Sequence, residues 1–125
     1  MTNTTNQLVD TYISAWNEAV PERRRALVSE VFTDDATYLD PMMSGDGAAH
    51  IDAMIGAAQQ QFPGHAFVLA GAPDAHHDQI RFSWHLVPSG GGDVVAVGHD
   101  FGTLAADGRL RSVVGFLEPS AAAAA

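Results

Sequence analysis

The chain has 125 residues, an apolar fraction of 46% and a net charge of −9 from 15 acidic residues against six arginines. That is the size of one domain with room for a core and one modest cavity. The acidic balance argues against phosphate backbones as partners, so no nucleic acid is expected. Lysine is absent, which excludes Schiff-base chemistry, and cysteine is absent, which excludes disulfides, thiol nucleophiles and zinc–thiolate or iron–sulfur sites.

The opening MTNTTNQLVD is polar and has no apolar signal core, and no apolar run approaches the length of a bilayer span. A soluble, cytoplasmic protein without membrane contact is the expectation. The spacing of Leu8, Tyr12, Ala15, Trp16 and Ala19 predicts a first helix over about Thr5–Ala19. Pro21 suits the first turn of a second helix, whose apolar face is Leu27, Val28, Val31 and Phe32. The TDD that follows reads as its end, and Ala36–Asp40 as a short strand closed by Pro41. Asp46 is a plausible N-cap for a third helix with Ala48, Ile51, Ile55, Ala58 and Phe62 on its buried stripe, ended by Pro63-Gly64.

The rest reads as strands at His65–Ala70, Gln79–Val87, Val94–Leu104 and Leu110–Glu118. GAPDAHHD, PSGGGD and AADG punctuate them, the last a hairpin turn with Gly108 at the position needing positive φ. Gly98 and Gly102 read as bulges or bends where the sheet curls. Residues 1–120 are expected to form a single domain, and 121–125 are a low-complexity alanine tail. Helices followed by antiparallel strands imply an α+β domain, and a curled sheet closed by helices encloses a cavity.

Five stretches in order, LVDTYISAWN, VFTDDATYLDP, GDGAAHIDAMI, RFSWHLVP and GHDFGTLAADGRLRSVVGFLE, resemble the nuclear transport factor 2-like superfamily, and within it the SnoaL-like polyketide cyclase group. The resemblance implies a cone-shaped, strongly curved antiparallel sheet wrapped around three helices, with an internal apolar pocket and a homodimer through the outer sheet face. Likeness to the ketosteroid isomerases of that superfamily maps three functional positions onto this chain. Asp40, in DDATYLDP, matches the general base. Tyr12, in TYISAWN, matches the oxyanion tyrosine. Asp100, eight residues before Gly108, matches the neutral acid that completes the oxyanion hole.

The resemblance thus implies cofactor-independent acid–base isomerisation, cyclisation or dehydration of a small apolar carbonyl compound of polyketide, terpenoid or steroid type. The alternative is a non-catalytic ligand-binding or assembly domain of the same fold. The supporting pocket tyrosines of the isomerases are unmatched, since the second tyrosine, Tyr38, lies in the strand before Asp40. The Arg-x-Asp of epoxide hydrolases and the tyrosine pair of scytalone dehydratases are likewise unmatched.

Each acid also has a plainer reading. Asp40 can be a turn residue, Tyr12 a core tyrosine, and Asp100 the partner of His85, His99 or an arginine. Trp16 and Trp84 are candidate aromatic walls for a substrate, with Phe82, Met54 and Ile55 as core residues that reach the lining. The six histidines suggest no metal site: His76-His77-Asp78 reads as a solvated loop, and no helical His-x-x-x-His appears.

Overall fold

The computed structural model describes residues 2–119, so the alanine tail at 121–125 lies outside the described residues. The elements are α1 (Thr2–Asn17), α2 (Pro21–Val31), β1 (Phe32–Leu39), β2 (Ser44–Asp46), α3 (Ala48–Gln61), β3 (His65–His76), β4 (Gln79–Pro88), β5 (Ala96–Leu104) and β6 (Leu110–Leu117). The three helices pack against one face of a single curved sheet of order β2-β1-β6-β5-β4-β3.

Side chains of α1 that recur every three or four residues (Val9, Tyr12, Ala15, Trp16) are buried with Val28 and Val31 of α2 and Ile51, Ile55 and Ala58 of α3. The first helix stops at Asn17 for two reasons. The Asn17 side chain exchanges two hydrogen bonds of 2.8 Å with the Phe67 backbone, acting as a strand partner for the sheet edge. Gln59 of α3 donates to the Trp16 and Glu18 carbonyls, each at 2.9 Å, satisfying orphan groups of the helix end. The end of α2 is covered by Arg109, whose guanidinium donates to the Ser29 and Phe32 carbonyls at 3.2 and 3.1 Å. Arg24 is buried between α2 and α3 and pairs with Asp52 at 2.9 Å.

Several elements differ from the sequence reading. The sheet is mixed: β1 runs parallel to β6, while the other pairings are antiparallel. A parallel pair needs a long crossover, and here the chain between β1 and β6 supplies it. Thr33–Asp35 do not end α2 but bulge within β1, where the register against β6 shifts between Phe32 and Thr37. Ser44–Asp46 form a short edge strand, so α3 is entered through Gly47 (φ 93°) rather than capped by the Asp46 side chain. GAPDAH is no loop: β3 runs on to His76 through an irregularity between Ala70 and Asp74, and His77-Asp78 make the turn.

Gly108 sits at φ 88° in the β5–β6 turn as expected. Gly98 and Gly102 lie in an unbroken register with β4, so they are not bulges. They make room. A Cβ on Gly98 would lie 2.1 Å from the Trp84 indole, and one on Gly102 would lie 2.5 Å from Leu110.

Candidate active site

The concave side of the sheet and α1 enclose a cavity of about 60 Å³, walled almost wholly by apolar side chains. Strand alternation decides which residues reach it. On β5 the even positions face inward, which buries Asp100, and the adjacent His99 faces the opposite side. On β1 Tyr38 is buried while Thr37 and Leu39 are exposed, and the same alternation carries Asp40 to the cavity.

Tyr12 of α1 and Asp100 meet although 88 residues separate them: the Tyr12 hydroxyl donates to Asp100 Oδ2 at 2.7 Å. Both groups are buried in the core. Burial pushes the Asp100 carboxyl up to about 6, against the Tyr12 and Trp84 donors, which favour its ionised form, and with a smaller upward contribution from Asp40. Burial also holds the Tyr12 and Tyr38 phenols well above their ordinary range, aided by the charge of Asp100. Both remain hydroxyl donors at any working pH.

Asp40 both makes a turn and lines the cavity. Its Oδ1 accepts from the Met42 and Met43 N–H groups at 2.8 and 2.9 Å, while its own N–H donates to the Met43 carbonyl at 2.9 Å. That is an Asx-type turn after a strand. Its Oδ2 accepts from the Tyr38 hydroxyl at 2.5 Å, and the residue lines the cavity. The site therefore holds two tyrosine–aspartate pairs.

They converge over Gly115 of β6, which pairs with Asp100 in the ladder. A Cβ there would lie 2.9 Å from Asp100 Oδ1, 3.2 Å from Asp40 Cβ and 3.5 Å from Tyr38 Oη. Only hydrogen fits beneath these atoms, so glycine lets them pack directly on the strand.

Trp16 and Trp84 both line the cavity, bridged by Phe67, whose ring lies 5.3 and 5.2 Å from theirs. The Trp16 indole N–H is buried and has no hydrogen-bond partner among the described residues. Phe82, Met54 and Ile55 are placed elsewhere. Phe82 packs edge-on under Tyr12 at 4.9 Å, and Met54 and Ile55 lie in the core, outside the cavity wall. Helix α3 reaches the cavity one turn later, at Ala58, followed by its C-cap residue Phe62.

Sequence reasoning passed over Gly115, Phe67 and the contact of Tyr38 with Asp40. Two of these carry a local signal, since Tyr38 and Asp40 alternate onto one strand face and Gly115 interrupts a β-branched run. On the outer face, Ser83 Oγ lies 2.7 Å from His99 Nδ1 and Glu118 lies 2.6 Å from His99 Nε2, away from the cavity. The His77-Asp78 turn is exposed, and no group of three metal-ligating side chains occurs among the described residues. No helix among them is long and apolar enough to cross a membrane.

A model of the SnoaL-like domain family matches residues 9–113. The chain belongs to the SnoaL-like family. No curated protein sequence matches it. Among solved structures, a "putative isomerase of the SnoaL-like family" from Agrobacterium tumefaciens str. C58 is 47% identical, covers 93% of this chain and 98% of its own, and has a TM-score of 0.88. A "putative SnoaL-like polyketide cyclase" from Jannaschia sp. CCS1 is 18% identical over 90% of this chain and 86% of its own, with a TM-score of 0.68. A de novo designed protein with a curved β-sheet, 8% identical, covers 95% of this chain and 88% of its own at a TM-score of 0.72. At such low identity the SnoaL-like likeness to the last two is one of fold alone.

Proposed function

We propose that the cavity is an acid–base site for a small, largely apolar carbonyl compound. Asp40 takes a proton from a carbon beside the carbonyl, and protonated Asp100, held by Tyr12, donates to the carbonyl oxygen as it becomes negative. The observation that carries this reading is the presence of both aspartates in an otherwise apolar cavity wall, with Asp100 Oδ1 and Asp40 Cβ packed side by side on Gly115.

Proton abstraction beside a carbonyl needs one acid as an acceptor and another as a donor. Asp40 is surrounded by three donors, which suits an acceptor-only carboxylate. Asp100, at about 6, keeps a donatable proton in mildly acidic solution. As the C–H bond breaks, its proton goes to Asp40 and its electron pair moves onto the oxygen. A preorganised donor to that oxygen is worth about 3 kcal/mol in a water-excluded site. Return of the proton to another carbon gives an isomer, and cyclisation or dehydration would begin with the same step. No cofactor enters this chemistry. The description of the 47% identical Agrobacterium protein as an isomerase agrees with it.

The enclosed space limits the ligand. About 60 Å³ is far below the roughly 300–1,000 Å³ of a drug-sized site, so a fused-ring steroid does not fit this conformation. A small ketone would sit with its carbonyl inside and the rest of its body at the rim by the flexible Met42 and Met43. Binding without turnover is the second reading, favoured by the engagement of Asp40 Oδ1 in its turn.

Turnover of a β,γ-unsaturated ketone such as 3-cyclohexen-1-one, followed by absorbance of the conjugated product, separates the two. Asp40→Asn should lower kcat about 100-fold or more. Turnover unaffected by that substitution removes Asp40 from the mechanism. A homodimer belongs to the same reading: Leu39, Phe101, Val114 and Phe116 form an exposed apolar patch on the outer sheet face.

A further inference from the structure

We propose that Tyr38 is a positioning residue for Asp40, one that holds the only carboxylate oxygen free to receive a proton and thereby sets its direction. The inference rests on the acid–base reading and deepens it. Each carboxylate oxygen has two acceptor positions. On Asp40 Oδ1 both are taken, by the Met42 and Met43 N–H groups. The proton leaving a substrate must therefore arrive at Oδ2, where the Tyr38 hydroxyl at 2.5 Å occupies one position and leaves one.

The remaining position is fixed by the phenol. Tyr38 is itself immobilised, being 3% exposed with its ring 5.6 Å from that of Trp16. Its hydroxyl lies 3.5 Å from the point over Gly115 that Asp100 Oδ1 approaches to 2.9 Å. Tyr38 thus ties the base to the same spot as the opposing donor.

The titratable groups around Asp40 are few. Tyr38 comes from β1, Asp100 from β5 and Tyr12 from α1, while the cavity residues of α3, β3, β4 and β6 bring none. Removal of the Tyr38 hydroxyl is then a change in one contact, without a second charge to compensate. Tyr38→Phe keeps the ring and removes the donor.

The test reads kcat and KM separately for 3-cyclohexen-1-one. Tyr38→Phe is expected to lower kcat about 10-fold with KM little changed, because the accepting oxygen is no longer aimed at the carbon. A purely structural tyrosine would lower the melting temperature and leave kcat, measured well below that temperature, at the parent value, which overturns the inference. Asp40→Asn separates the two claims. Turnover that survives Asp40→Asn, or none in the parent protein, sinks the acid–base reading itself. Turnover lost in Asp40→Asn and unchanged in Tyr38→Phe sinks the role of Tyr38 alone.

Discussion

Replacing Asp100 with asparagine should make the protein more stable at neutral pH, because the buried acid is kept at a cost to folding. Burial is the first cause of its raised pKa, and the Tyr12 hydroxyl offsets only part of it. The rise from 3.8 to about 6 is roughly two units, or about 3 kcal/mol at 1.36 kcal/mol per unit. The sign follows from proton binding. Between these two values the folded state holds a proton that the unfolded chain has lost, so stability falls as pH rises through that window. Above about 6 the penalty is complete, and below 3.8 it is absent.

Asparagine has no charge to desolvate, and its side-chain oxygen can still accept from Tyr12. Urea unfolding of both proteins between pH 4 and 8 should give curves that converge near pH 4. They should separate to about 3 kcal/mol in favour of Asp100→Asn by pH 7. A difference that stays constant across this range would refute the idea that desolvation of Asp100 strains the site. Stability gained together with activity lost is the expected signature of a functional buried acid.

Gly115→Ala should abolish ligand binding, because its methyl group occupies the space shared by Asp100 and Asp40; the clash should also cost about 1–3 kcal/mol in a denaturation experiment. Above about pH 6, kcat/KM should fall as Asp100 loses its proton, and Asp100→Asn should remove that limb from the pH–rate profile. Phe116, 57% exposed beside Phe101 on the outer face, is the natural point at which to break a dimer. Light scattering should find a dimer in the parent protein and a monomer in Phe116→Asp, and a monomer in both would refute the assembly.

The helices and the inward strand positions were legible because period and burial coincide: Tyr12 and Trp16 share a helical face, and Asp100 alternates with His99. The extent of β3 was not, because Gly71, Pro73 and Asp74 carry turn chemistry yet sit in a sheet irregularity whose pairing comes from β4. Nor was the parallel β1–β6 pair, which depends on a partner some 75 residues away. The Tyr12–Asp100 bond spans 88 residues and was approached only through family likeness, whereas the Tyr38–Asp40 bond spans two and was open to inspection. The volume of the cavity depends on how Phe67, Trp84 and Leu117 close over it, which no single stretch of sequence encodes.

The central claim is that Asp40 moves a proton at carbon. Cyclohexanone incubated with the protein in D2O and followed by NMR reports that step without requiring a completed reaction. Deuterium should enter the α-positions well above the buffer rate with the parent protein, and about 100-fold more slowly with Asp40→Asn. Equal rates for the two proteins would contradict the account.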